Sequence, residues 1–142
     1  MALTSSDYGA DYFANVYGAA SETGEPSQTW IDRARDQLLV TIAAQYSPRP
    51  LEESDVVDVG CGYGWLLDNF TSAHRLCGSD ISEHAIVMAK NRHADTEYRQ
   101  ADLLDGPPFE GTFDIVLAVN LIEHLTDPAA GVKSIRGLCR PG

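Results

Sequence analysis

Apolar residues recur along this chain in two rhythms. In the first fifty positions they return every three or four residues. Tyr8, Tyr12, Phe13, Val16 and Tyr17 predict a short helix with an aromatic face, ended by Gly18. Ser21 to Ser27 is rich in small and turn-forming residues, and beyond it Ile31, Ala34, Leu38 and Ile42 share one face of a second helix reaching about Tyr46. Ser47-Pro48-Arg49-Pro50 breaks that pattern. From Asp55 onward short apolar runs alternate with helical stretches, the signature of β-α-β units and a parallel sheet. Strands are predicted near Val56–Val59, Leu76–Asp80, Glu97–Gln100 and Phe113–Val119. Helices fit near Trp65–Phe70 and Ser82–Asn91, with Ser82 as N-cap. A last helix is expected to start at Asp127 as N-cap, with Pro128 in its first turn, and to bury Val132, Ile135 and Leu138.

Length and composition narrow the classes. A chain of 142 residues, 44% hydrophobic, supports one globular domain with a real core. A formal net charge of -11, with its ten Lys and Arg scattered, argues against a nucleic-acid partner and for a small-molecule one. No stretch is apolar for the roughly 20 residues that cross a bilayer, and no signal-peptide pattern opens the sequence, so no membrane association and a cytoplasmic location are expected. Cys61, Cys77 and Cys139 are odd in number and widely spaced, which predicts reduced, mostly buried thiols rather than disulfides or a zinc site.

The strongest chemical signal is Asp58-Val59-Gly60-Cys61-Gly62-Tyr63-Gly64, directly after a β-branched strand and directly before the apolar run Trp65, Leu66, Leu67 and Phe70. Glycines at these positions let a backbone turn tightly and approach a ligand. The dinucleotide fingerprint G-x-G-x-x-G would put its third glycine at position 65, which is Trp here. A nicotinamide-dependent oxidoreductase is therefore a distant option. About 20 residues on, Asp80 closes the second strand, where a carboxylate can accept hydrogen bonds from both hydroxyls of a ribose. Asp102 follows the third strand, and Phe113-Asp114-Ile115-Val116 leads into Asn120, Glu123-His124-Leu125 and Asp127-Pro128.

These motifs, in this order from about Asp55 to Leu138-Cys139-Arg140-Pro141-Gly142, resemble those of class I S-adenosylmethionine-dependent methyltransferases. The resemblance implies a Rossmann-like α/β three-layer sandwich with a mainly parallel sheet. It also implies S-adenosylmethionine as cofactor, S-adenosylhomocysteine as product and a small-molecule methyl acceptor. The loop Asp58, Gly60, Cys61, Gly62, Tyr63 and Gly64 would hold the methionine portion, Asp80 the ribose and Asp102 the adenine, with Ile81, Leu103 and Asn120 also binding the cofactor. Some relatives bind a divalent metal through E-x-x-E-H. Asn120 stands here at the first position, and the loss of that hard ligand predicts no metal. His124 is the candidate general base, against which stands an ordinary structural imidazole in the loop. Tyr8, Tyr12, Tyr17 and Trp30 are candidates for a lid over cofactor and acceptor, the alternative being a plain aromatic core stripe. Tyr63 and Trp65 are the better candidates for ligand contact.

On this reading residues 1–50 form an N-terminal helical lid segment and residues 51–142 a partial methyltransferase core, plus the N-terminal helices. The family's sheet has seven strands in the order 3-2-1-4-5-7-6, of which only the first four are accounted for. The central run Ile115 to Val119 would then be buried on both faces yet carry an open edge, from which either a homodimer paired through that edge or a truncated product of low stability is expected. The alternative to an enzyme is a non-catalytic S-adenosylmethionine-binding or assembly module.

Overall fold

A computed structural model describes residues 5–16 and 28–141, so Tyr17, Gly18 and the turn-rich stretch at 21–27 lie outside the described residues. Four parallel strands form one sheet in the order β3-β2-β1-β4: β1 (Asp55–Val59), β2 (Arg75–Asp80), β3 (Glu97–Gln100) and β4 (Ile115–Leu117). Four α-helices accompany them: α1 (Ala10–Val16), α2 (Trp30–Tyr46), α3 (Glu83–Arg92) and α4 (Pro128–Leu138). This is the expected α/β order, with the expected strands within one or two residues at β1, β2 and β3.

The sheet is covered on both faces, and β1 shows why. Side chains alternate across a strand, so Val56 joins Leu67, Phe70, Ile86 and Ile115 on one face. Val57 and Val59 meet Cys77, Phe109, Phe113 and Leu138 on the other. Leu39, Val40 and Ala43 of α2 pack on the first cluster, and Leu125 and Ile135 on the second. The three layers follow from a β-branched strand that is apolar on both sides.

Local chemistry sets the helix starts. Thr29 caps α2 in a reciprocal capping box with Asp32. Ser82 accepts from the Ala85 N–H to cap α3, and Asp127 accepts from the Ala130 N–H to cap α4, with Pro128 in its first turn.

Several expectations need correction. The Ile31, Ala34, Leu38 and Ile42 face of α2 points outward, with Ile31 60% and Leu38 59% exposed. The packed face is the neighbouring stripe Asp36, Leu39, Val40 and Ala43, led by a fully buried carboxylate. Trp65–Phe70 is not an α-helix but a series of tight turns ending in a short 3₁₀ segment, Leu67–Phe70. In α4 Leu138 is buried and Ile135 half-buried, but Val132 is exposed, and Gly131 and Ser134 take the inner positions. The predicted strand Phe113–Val119 shortens to Ile115–Leu117, and Val116 to Val119 are half-buried rather than enclosed. At its start Phe113 is already paired: its N–H donates to the Leu138 carbonyl, and its carbonyl accepts from the Arg140 N–H. Cys139 is exposed, whereas Cys61 and Cys77 are buried.

Candidate cofactor site

Ligands of open α/β sheets bind beyond the carboxyl ends of the strands, and a cavity of about 510 Å³ lies there. Its floor is the glycine loop after β1. Gly60, Gly62 and Gly64 take φ of 75°, 53° and 79°, a region that strains any residue with a Cβ. The N–H groups of Gly60 and Cys61 both donate to the Ser79 carbonyl, at 2.7 and 2.9 Å, and tie the loop to β2.

Asp80, at the end of β2, is the hub. One carboxylate oxygen accepts from the Gly62 N–H and the other from the Ser82 N–H, each at 2.9 Å. Burial raises its pKa, and backbone hydrogen bonds from Ser82, Gly62 and Ile81 pull the other way. Ser82 also donates through Oγ to the Tyr8 carbonyl at 2.6 Å, which joins the N-terminal segment to the same corner.

Asp58 is 3% exposed, faces the cavity, and its Oδ1 has no hydrogen-bond partner. Burial, and after it the charges of Asp80 and Asp36, hold its pKa well above the ordinary carboxylate range. The Cys61 thiol is pushed up by burial and then by the same carboxylates Asp58 and Asp80, which leaves it an inert part of the loop. After β3, Asp102 accepts from the Leu104 N–H at 2.9 Å and so shapes the Leu103–Asp105 turn along the wall.

The cavity gathers nearly every residue expected from the sequence. Asp58, Gly60, Cys61, Gly62 and Tyr63 border it from the loop, Asp80 and Ile81 from β2, Asp102 and Leu103 from β3, and Asn120 and His124 from beyond β4. Gly64 does not. A Cβ there would lie 2.5 Å from the Tyr98 hydroxyl, so that glycine serves close packing under the loop rather than the cavity. Tyr8, Tyr12, Phe13 and Trp65 line the opposite wall, where the Phe13 and Tyr63 rings stack with centroids 4.9 Å apart. Trp30 is 73% exposed and is not among the lining residues. His124 and Glu123 stand exposed at the rim.

Three lining or adjoining residues went unread in the sequence. Gln28 and Arg35 border the cavity, and both hold the buried Asp36, Gln28 at 2.8 Å and Arg35 at 2.8 Å. Arg35 is the only Lys or Arg among the described lining residues. A lone Arg amid helix charges gives no motif, so its place shows only once α2 is set on the sheet. Among the described residues no cluster of three or more His, Cys, Asp or Glu is arranged to hold a metal ion.

A parallel sheet in this order, with a left-handed glycine loop and acidic residues at successive strand ends, defines an α/β protein built for a nucleoside-bearing ligand. A family profile described as a methyltransferase domain matches residues 56–142. The chain belongs to that family. It is 35% identical over 104 residues to a ubiquinone biosynthesis O-methyltransferase of Methylocella silvestris, an alignment covering 69% of this chain and 40% of the relative. Its namesake in Neisseria meningitidis serogroup C is 35% identical over 96 residues, covering 61% and 40%. The chain thus spans about 40% of the length of these curated relatives. The fold matches the N-methyltransferase NodS of Bradyrhizobium japonicum WM9, with a TM-score of 0.70 at 17% identity, covering 82% of this chain and 60% of that one. It also matches magnesium protoporphyrin IX methyltransferase of Synechocystis PCC 6803, with a TM-score of 0.69 at 21% identity, covering 97% and 73%.

Proposed function

We propose that this chain is the S-adenosylmethionine-binding part of a methyltransferase acting on a small-molecule acceptor. The observation that carries the reading is the placement of Asp58, Asp80 and Asp102 at successive strand ends around one cavity floored by the glycine loop. The donor set suits that cofactor. Each Asp80 oxygen takes one backbone N–H and keeps acceptor capacity for a ribose hydroxyl. An amino-acid zwitterion asks for an acceptor and a cation, and Asp58 with its unpartnered Oδ1 and Arg35 supply them in one cavity.

S-adenosylmethionine supplies a methyl group activated by its sulfonium. The chain's own task is to hold the cofactor and acceptor near a line and to exclude water, so positioning outweighs acid–base chemistry. The aromatic wall of Tyr8, Tyr12, Phe13 and Trp65 serves exclusion, with residues 1–50 as a lid and 51–142 as the partial core. If the acceptor is a hydroxyl, as the names of the ubiquinone-pathway relatives favour, His124 at the rim would take its proton. Among the described residues no helix is long and apolar enough to cross a membrane, and we place the protein in the cytoplasm.

Calorimetric titration with S-adenosylhomocysteine, with NAD as control and Asp80→Ala as the paired variant, tests the reading. Saturable binding of the adenosyl ligand that drops at least tenfold in Asp80→Ala supports it. Preference for NAD, or binding indifferent to Asp80, contradicts it.

A further inference from the structure

The methionine end of the cavity holds more negative charge than its surroundings balance. Asp58 from β1 feels the charges of Asp80 from β2 and Asp36 from α2 there, and the cation that acts on it is Arg35. Arg35 makes no hydrogen bond to Asp58: its Nε and Nη2 donate to Asp36 at 3.0 and 2.8 Å and its Nη1 to Asp32 at 3.3 Å, which leaves two N–H groups for a ligand. Asp36 takes a further hydrogen bond from Gln28, and Asp80 takes backbone N–H groups from Gly62 and Ser82. Asp58 is the member left over, a cavity-lining residue more than nine-tenths buried whose enclosed Oδ1 has no partner. The other titratable groups packed near it, the Cys61 thiol of the glycine loop and the Tyr98 phenol of β3, bring no positive charge.

A buried carboxylate without a cation or donor resolves its cost by holding a proton. From this cluster we propose that Asp58 carries a proton in the empty site and releases it to solvent when the cofactor's ammonium group seats against it. The inference rests on the cofactor reading above and deepens it: cofactor binding becomes a proton-releasing step. The ammonium replaces the proton as the positive partner of Asp58, so the charge facing that carboxylate is unchanged on binding. The proton passes to the buffer, and no other bond changes. A consequence is that the cofactor binds more weakly as pH falls, by up to about tenfold per pH unit while Asp58 is the only linked group.

The test is calorimetric titration of the full chain with S-adenosylhomocysteine, which carries the same amino-acid end, at pH 7 in phosphate and in Tris, whose ionisation enthalpies differ. The expected result is a difference in observed enthalpy equal to about one proton released per ligand bound, absent in the isosteric Asp58→Asn. Equal enthalpies in the two buffers, with clear saturable binding, overturn the proposal and leave the cofactor reading standing. Proton release that persists in Asp58→Asn also overturns it. A folded chain giving no heat in either buffer and no thermal shift overturns both. Should Asp58→Asn fail to fold, the unmodified chain decides: affinity that is flat between pH 5 and pH 8 contradicts the proposal, and affinity that falls toward pH 5 supports it.

Discussion

Leu121 lies on Gly60: a Cβ added to that glycine would stand 2.9 Å from Leu121 Cδ1 and 3.2 Å from Cδ2. The contact joins the cofactor loop to the segment that carries Glu123 and His124, so the two sides of the cavity are set against each other by one leucine. Gly60 also holds a φ of 75°. Gly60→Ala therefore meets both a clash and backbone strain, and is expected to lower the unfolding free energy by about 2–3 kcal/mol. Adding Leu121→Ala should recover the steric part and leave about 1 kcal/mol of strain. Denaturant titrations of the single and double variants measure the split.

Asn120, immediately before that leucine, has a φ of 52°, the only non-glycine residue with a positive φ among those described. Asparagine tolerates this region better than most side chains, and glycine better still. Asn120→Gly is expected to be neutral within about 0.5 kcal/mol, and Asn120→Val to cost about 1–2 kcal/mol. Thermal melts of the two variants check the order.

Asp58 trades stability for binding. Burial, then Asp80 and Asp36, raise its folded-state pKa above the ordinary value of 3.8. A raised pKa favours the fold most below that ordinary value, and the contribution is lost as pH rises through the folded value. Asp58→Asn, which cannot ionise, should therefore stabilise the empty chain at pH 7–8 by about 1–3 kcal/mol, with the gain vanishing near pH 3. The same variant should bind S-adenosylhomocysteine at least tenfold more weakly. Melts across pH, with and without ligand, show whether the two effects have opposite signs.

At the other end of the sheet Asp114, its side chain fully buried, is held by Arg49 at 3.2 Å, by Arg140 and by the Asp55 N–H at 2.9 Å. Arg140 reaches on to Asp55, which also meets His74 at 3.0 Å. Burial alone would raise the Asp55 pKa, but His74, Arg140 and Arg75 together hold it below 3.8. A lowered pKa contributes stability above that ordinary value, lost as pH falls below it. Arg140→Ala leaves the buried Asp114 with Arg49 and the Asp55 N–H alone and should cost about 1–3 kcal/mol at pH 7, less in acid. Cofactor affinity, read at the far end of the strands, should stay within about twofold. Denaturation curves at pH 7 and about pH 2 test the first statement, and calorimetry the second.

What the sequence made legible was the part governed by local pattern. The glycine loop, the strand-ending Asp80 and the Ser82 and Asp127 caps each need only a few adjacent residues, and each appears where the pattern puts it. The failures are tertiary. On α2 the stripe Ile31, Leu38 and Ile42 looks like the inner face, yet the inner one is headed by Asp36, whose burial depends on Gln28 and Arg35 folding back on it. Trp65–Phe70 is apolar enough for a helix, but its N–H groups close three-residue turns, Leu67 on the Gly64 carbonyl and Asp68 on the Trp65 carbonyl, instead of helical ones. Gly131 carries no signal in the sequence, yet α4 meets the cavity-lining Leu125 there, because a Cβ would stand 2.2 Å from Leu125 Cδ1.

A map of amide chemical shifts in the chain as S-adenosylhomocysteine is added tests most directly whether the cofactor lies on the glycine loop. Changes are expected to concentrate at Gly60 to Tyr63, Asp80 to Ser82, Asp102 to Leu104 and Asn120 to Leu121, with Arg35 joining them and the Asp55, His74 and Arg140 cluster still. Changes centred on that far cluster, or none at the glycine loop at saturating ligand, would contradict that placement.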